Sequence, residues 1–282
     1  MKVITSVSAM QAEAESLRRA GKRIAVVPTM GYLHRGHTSL IEDARKRADV
    51  VVVTVFVNPT QFAPHEDYAR YPRDFDRDRR LSEEAGADIV FHPEVGEMYP
   101  EGYQTFVEVS SVSEILEGAV RPAHFRGVAT VVAKLFLATK PHVAVFGQKD
   151  AQQAFIVRRM VRDLNIDVEI IVAPIVREDD GLALSSRNVY LTPSERQRAT
   201  VLFRSLRRAE ERIRAGDRSV GSVRREMMKI LQSGEPTGVD YVAFVAPATF
   251  QEIQKIEPPG VLIALAVRFG TTRLIDNTLI QL

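Results

Sequence analysis

Residues 28–37 read PTMGYLHRGH and follow the apolar run IAVV, placing two glycines, a proline and two histidines three residues apart at one turn. Glycine takes left-handed conformations and lets backbone approach a bulky group, so Gly31 and Gly36 suit a loop that admits an anion. A helix predicted to begin near His37 adds its N–H groups and the positive end of its dipole. Histidines at i and i+3 share one face of a first helical turn, which lets His34 and His37 touch one polyphosphate. Three alternatives stand beside this reading: a histidine that caps a helix, an exposed histidine, and a metal pair. The metal pair needs further ligands from His65, His92 or carboxylates, and none lies at a recognisable spacing.

Three more polar clusters carry chemistry: FVNPTQF (56–62), FGQKDAQQ (146–153) and LSSRN (184–188). In the second, Gly147 again permits close approach and Lys149 offers a compact charge to a phosphate. Asp150 either caps the following helix or meets a ligand or Mg²⁺. Ser185, Ser186 and Arg187 supply hydroxyls and a guanidinium for phosphoryl oxygens and for charge developing in a transition state. Asn58, Gln61 and Gln153 are neutral amides suited to the hydroxyl and carboxylate groups of a small polar substrate. Asn58-Pro59 equally reads as a turn after a strand. The run YARYPRDFDRDRR (68–80) nearly balances its charges and reads as a solvated helix face, not a nucleic-acid patch. In RPAHFRGV (121–128), His124 and Arg126 precede a helix start at Gly127 and either face an anion or close a loop.

The elements that must position these clusters are legible in the hydrophobic pattern. Strands are predicted at 23–28, 50–57, 88–92, 143–146 and 168–172, and helices at 37–48, 74–85, 127–138 and 150–164. This alternation predicts an α/β fold with a doubly wound parallel sheet. The first three clusters each follow a strand, so they should converge on the crevice at the carboxyl ends of the strands. After the loop at 177–193 the pattern changes to helices at 194–215 and 219–231, the first opened by Thr192-Pro193 with Glu195 three after the cap. Strands follow at 239–245, 261–269 and 272–280, the last two joined through Gly270-Thr271 as a hairpin. A domain of residues 1–177 and a smaller α+β domain of 178–282 are expected.

The chain has 282 residues, 45% hydrophobic and 26% charged, with 38 basic against 36 acidic side chains. A net charge of +2 provides no global field toward nucleic acid or an anionic membrane, so anion binding has to be local. The absence of cysteine excludes disulfides, thiolate metal sites and cysteine nucleophiles, and fits a reducing compartment. No signal-peptide h-region and no window of roughly 18 apolar residues is found, so a cytoplasmic protein is expected.

Taken in order, PTMGYLHRGH, FVNPTQF, YPR, RPAHFRGV, FGQKDAQQ, VREDDGLALSSRN and TRLIDN resemble the pantothenate synthetase (pantoate–β-alanine ligase) family of the nucleotidyltransferase superfamily. The superfamily mark is HxGH, here His34-Arg35-Gly36-His37. The resemblance implies a Rossmann-like domain binding ATP and pantoate, a smaller C-terminal domain closing over the site, and a cytoplasmic homodimer. It implies ATP-dependent joining of (R)-pantoate to β-alanine through a pantoyl-adenylate, releasing AMP and diphosphate, with Mg²⁺ arriving on ATP.

By matching position, Met30, Gly31, Tyr32, Leu33, His34, Arg35, Gly36 and His37 would line the ATP site. Gly147, Gln148, Lys149 and Asp150 would join them, with Val176 by the adenine and Leu184, Ser185, Ser186 and Arg187 at the phosphates. Gln61 and Gln153 would hold pantoate and Asn58 would support that pocket. His37, His34, Lys149 and Arg187 are the catalytic candidates, His37 as the usual proton donor. The chain departs from the pattern at Leu184, where Met is common, and at Gln148, where Glu also occurs. Two other readings are a cytidylyl- or adenylyltransferase, which keeps the nucleotide in its product, and a non-catalytic nucleotide- or RNA-binding module. Near-neutral charge and the lack of an interleaved basic and aromatic surface weigh against RNA.

Overall fold

Segments such as IAVVPT and VVVVTV leave almost no polar face, and in this computed structural model they form the central strands of a parallel sheet buried on both sides. The structure describes residues 1–282 except 64, 65 and 67, so His65 lies outside the described residues. The chain folds as two compact units, one of residues 1–147 and 152–174, the other of 148–151 and 175–282.

In the first unit the strands are β1 (Lys2–Ile4), β2 (Ile24–Thr29), β3 (Val50–Val55), β4 (Ile89–Phe91), β5 (Val143–Gly147) and β6 (Glu169–Ala173). Between them run α1 (Val7–Arg19), α2 (Arg35–Arg45), α3 (Phe75–Glu84), α4 (His124–Thr139) and α5 (Ala151–Asp163). The sheet order is β1-β4-β3-β2-β5-β6, all parallel. Without β1, this is the 3-2-1-4-5 order of a Rossmann-like sheet, whose switch point lies between β2 and β5. The strand ends carrying PTMGYLHRGH and Gly147 therefore flank that switch point.

The first strand and helix escaped prediction for physical reasons. β1 is three residues long, and α1 buries only Met10 and Ala14 along a polar surface, so neither shows a readable period. Ser6 caps α1, accepting from the Ala9 N–H at 3.3 Å. Ser6→Ala should cost about 1 kcal/mol, read as a lower urea midpoint at unchanged slope.

Three helix boundaries differ from expectation. α2 starts at Arg35 with His34 as its cap, not near His37, and α4 starts at His124, not at Gly127. The helix expected over 194–215 is two, α6 (Pro193–Arg198) and α7 (Val201–Arg214). Between them the Thr200 hydroxyl donates to Gln197 O at 2.8 Å, and Leu202 N–H donates to Ala199 O, so the ladder tightens to i−3 bonds there.

The second unit adds α8 (Val220–Gln232) and an antiparallel sheet of β7 (Gly238–Val245), β8 (Gly260–Phe269) and β9 (Thr272–Gln281). β8 and β9 form the expected hairpin, pairing Phe269 with Thr272 across two residues, with Gly270 at φ 55°. Its core joins Leu202, Leu206 and Ile213 of α7 and Val223 and Met227 of α8 to the inner residues of the sheet. No helix among the described residues is long and apolar enough to cross a membrane.

Candidate active site

The loop leaving β2 is organised by its own side chains. Gly31 (φ 84°) and Tyr32 (φ 52°) both take left-handed backbone, which turns the chain sharply before α2. That turn leaves amide hydrogens needing acceptors, and each has one. Gly31 N–H donates to Thr29 Oγ1 at 3.2 Å, and Tyr32 and Leu33 N–H donate to the two carboxylate oxygens of Asp78 at 2.7 and 2.6 Å.

The start of α2 is capped by imidazoles. Gly36 N–H donates to His34 Nδ1 at 3.1 Å, and His34 N–H donates to His37 Nδ1 at 3.3 Å, with the rings 4.1 Å apart. An Nδ1 that accepts carries no hydrogen, so the neutral form of each ring holds its proton on Nε2. The expectation that backbone N–H groups of this turn face an anion changes accordingly. Those of Gly31, Tyr32, Leu33, His34, Gly36 and His37 donate within the chain.

Asp78 sits in the run expected to be a solvated helix face, yet it is 1% exposed. Burial pushes its carboxyl above the ordinary range, partly opposed by the Leu33 and Tyr32 N–H groups. Its neighbour Arg77 lies over the Tyr32 ring, 5.1 Å from the centroid.

The second cluster builds a buried amide pair. Asn58 follows β3 and caps a 3₁₀ turn, Pro59–Gln61. Its Nδ2 donates to Gln61 Oε1 and to Gly127 O, both at 3.1 Å. Its Oδ1 accepts from the Tyr99 hydroxyl at 2.8 Å and the Thr60 hydroxyl at 3.0 Å. The Asn58 amide is thereby fully used, and its work is to orient Gln61, whose Nε2 donates to Met30 Sδ at 2.9 Å. Burial pushes the Tyr99 phenol up to about 12, so it stays a donor.

RPAHFRGV packs against this amide pair. Arg121 grips Glu66 through two hydrogen bonds of 2.6 Å, and His124 Nδ1–H donates to Gln61 O at 2.8 Å. Arg126 instead stacks on Phe106, 3.9 Å from the centroid. Burial first, and then the Arg121 charge, lower the His124 imidazole to about 4. Folding therefore favours neutral His124. Its contribution is complete above the unfolded value near ~6.5 and is lost as pH falls toward 4, about 3 kcal/mol in all. Urea unfolding between those pH values should show this slope, and His124→Gln should flatten it.

On α5, Gln153 is half-buried and its side chain makes no hydrogen bond to a described residue, whereas Gln152 is a staple. Gln152 Oε1 accepts from Glu117 N–H at 3.1 Å, and Nε2 donates to the carbonyls of Val112 and Ile115 at 2.8 Å.

In the second unit, Gln148–Asp150 is a 3₁₀ turn held by β9. Asn277 Nδ2 donates to the carbonyls of Gln148 and Lys149, both at 2.9 Å, and Gln148 Nε2 donates back to Asn277 Oδ1 at 3.0 Å. Asp276, 2% exposed, accepts both arms of Arg177 at 2.7 and 2.9 Å. Burial raises the Asp276 carboxyl, and the Arg177 fork is the partner that a carboxylate requires there. Next to Arg177, Val176 O accepts from Leu184 N–H, and Ser185 caps the 3₁₀ turn Ser186–Tyr190 that contains Arg187. One network thus ties Gln148 and Lys149, through Asn277 and Asp276, to Arg177 and the segment that pairs Val176 with Leu184.

Among the described residues no group of three or more histidine, aspartate or glutamate side chains could hold a metal ion. His92 spends its Nδ1 on Val55 O, 2.6 Å away, and stacks on Phe75.

A family model described as Pantoate-beta-alanine ligase matches residues 2–279. The chain belongs to the pantoate–β-alanine ligase family. It is 54% identical over 281 residues to the pantothenate synthetase of Syntrophobacter fumaroxidans, covering 100% of this chain and 99% of that one. It is 57% identical over 270 residues to that of Chloroflexus aggregans, covering 95% and 97%. The structure of pantothenate synthetase from Thermus thermophilus superimposes with a TM-score of 0.93 at 49% identity, over 99% of each chain. That of the Francisella tularensis pantoate-beta-alanine ligase, complexed with beta-gamma ATP and beta-alanine, gives 0.82 at 34%, over 99% and 97%.

Within the ligase family, then, this chain brings together Met30–Gln61 and the two cap histidines in one unit, and Lys149 with the Val176 segment in the other. Residue spacing missed Asp78, Gln152 and Asn277. Asn277 did lie inside one of the family motifs, TRLIDN, whereas Asp78 was concealed in a charge-balanced run.

Proposed function

We propose that this protein condenses (R)-pantoate with β-alanine at the expense of ATP. What supports the reading is the near-full-length correspondence with pantothenate synthetases, at identities of 49–57%, with all seven motifs present.

Pantoate's carboxylate is ionised at neutral pH, so its attack on the α-phosphorus of ATP needs no general base. An oxygen–phosphorus bond forms to pantoate as the bond to diphosphate breaks, giving pantoyl-adenylate. What this step needs is alignment and stabilisation of the charge that gathers on phosphoryl oxygens. The Nε2–H groups of His34 and His37 are donors of the right kind, and His37 is assigned the leaving diphosphate. Met30, Tyr32, Arg35 and Gly36 are assigned to the rest of that loop's ATP contact, with the buried Gly31 and Leu33 shaping the turn beneath it.

Lys149 and Arg187 are assigned to the phosphates, with Gln148, Asp150, Ser185 and Ser186 beside them and Val176 and Leu184 at the adenine. A Cβ on Gly147 would meet nothing nearer than Leu40 Cδ1 at 4.0 Å, so close approach of a ligand is what glycine serves there. Gln61 and Gln153 hold pantoate, and Asn58 acts through Gln61. In the second step the unprotonated amine of β-alanine attacks the acyl carbon, AMP leaves with the electron pair of the broken bond, and the amine loses a proton.

Mg²⁺ enters as part of the MgATP substrate. The groups assigned to the phosphates are imidazole, ammonium and guanidinium, which match phosphate oxygens and leave the ion to the triphosphate. A homodimer in the cytoplasm completes the proposal, on the family's pattern.

The test is exchange of labelled diphosphate into ATP with pantoate and Mg²⁺ present and β-alanine absent. Pantoate-dependent exchange is the expected result. A stable nucleotidylated product would point to a nucleotidyltransferase, and ATP binding without any turnover would point to a binding module.

A further inference from the structure

We propose that Asp78 is the positioning residue of the loop 30–37, presetting the two imidazoles for ATP; this rests on the ligase reading above. The geometry that carries it is a two-point clamp from α3 on one turn. The Asp78 carboxylate accepts from the N–H of Tyr32 and of Leu33 at 2.7 and 2.6 Å, while the adjacent Arg77 guanidinium covers the Tyr32 ring. Tyr32 is left-handed at φ 52°, a conformation that a tyrosine keeps only when its surroundings impose it.

The clamp is tight on its other side as well. A Cβ on Gly31 would lie 2.8 Å from Asp78 Oδ2 and 3.1 Å from Val55 Cγ1. Gly31 itself has φ 84°, so the turn, the carboxylate and the absent side chain form one fitted arrangement.

The consequence reaches the histidines through the backbone. Leu33, held by Asp78, is fully buried and leads directly into His34, whose N–H and Nδ1 make the cap with His37 and Gly36. A carboxylate is the acceptor suited to this place. It takes two converging N–H groups at once, whereas an amide turns an N–H₂ against one of them. Asp78 makes no hydrogen bond to Asn58, Thr60 or Tyr99, so the Asn58 anchor of Gln61 is separate from it, and Gln61 meets the loop through Met30 Sδ.

The experiment compares the wild type, Asp78→Asn and Gly31→Ala, with Asp76→Asn as a control on the same helix. Three quantities are read: the Kd of MgATP alone, pantoate-dependent diphosphate exchange, and the separate KM values for ATP and pantoate. For Asp78→Asn, exchange should fall about 100-fold and the Kd and KM of ATP should rise, with a smaller change in the KM of pantoate, whose Gln61 keeps its Asn58 anchor. ¹⁵N spectra of the histidine rings should show the Nε2–H form of both in the wild type and lose that signature in Asp78→Asn. If Asp78→Asn does not fold, Gly31→Ala strains the same turn without altering the carboxylate and should give the same split.

A folded Asp78→Asn that binds MgATP and exchanges diphosphate like the wild type overturns the proposal. So does an equal loss for ATP and pantoate, which is what general loosening would produce. If the wild type binds MgATP but shows no pantoate-dependent exchange, the ligase reading fails, and the ATP affinities of the two proteins still decide the role of Asp78. A wild type that does not bind MgATP overturns both.

Discussion

Gly127→Ala is expected to lower kcat/KM for pantoate by about 100-fold, with a loss of stability of about 1–3 kcal/mol. Gly127 lies in the first turn of α4, where the helix presses on the 3₁₀ turn Pro59–Gln61. A Cβ there would enter the Thr60 carbonyl and come within 2.7 Å of the Gln61 amide nitrogen. Both neighbours are backbone, so no side chain can swing aside. The carbonyl of Gly127 also accepts from Asn58 Nδ2, the group whose other hydrogen holds Gln61 Oε1. One methyl therefore displaces the Gln61 main chain and its side-chain anchor together. Steady-state kinetics against pantoate and a thermal melt check this. Unchanged kcat/KM in a folded variant would mean that the turn relaxes without moving Gln61.

The second large effect is expected at Asn277, with an unusual order of severity. Asn277→Ala removes both donors to the carbonyls of Gln148 and Lys149 and the acceptor for Gln148 Nε2. Lys149 then loses the support that fixes its backbone, and diphosphate exchange should fall about 10- to 100-fold. Asn277→Asp, nearly the same shape, should be worse still. It turns a carboxylate toward two carbonyl oxygens and places a second buried negative charge beside Asp276, which already occupies Arg177. Exchange rates for the two variants, with urea unfolding alongside, would test that order. An Asn277→Asp protein more active than Asn277→Ala would show that shape, not donation, is what β9 supplies.

At His34 a capping role and a ligand-facing role need not exclude each other. The sequence left open a capping histidine or a ligand-facing one, and the structure makes His34 the N-cap of α2 through Nδ1. That cap is what assigns the proton of the neutral ring to Nε2. A structural role on one nitrogen thus sets the donor on the other.

Everything that depends on local pattern can be read from the residues alone. Four central strands, β2 to β5, appear as apolar runs rich in Val and Ile, because a parallel strand covered on both faces has no polar side to interrupt it. The hairpin at Gly270 was legible from turn chemistry, and family membership from seven motifs in order. Which distant partner completes each motif follows from the packing of the folded chain. Asp78 meets Tyr32 across 46 residues and Asn277 meets Gln148 across 129, and the charge of the one and the amide of the other look ordinary in their local settings. Burial separates them from their neighbours. A carboxylate among exposed arginines and aspartates gives no sign of being the buried one until the helix carrying it is packed, and only then do its two oxygens have N–H groups to meet.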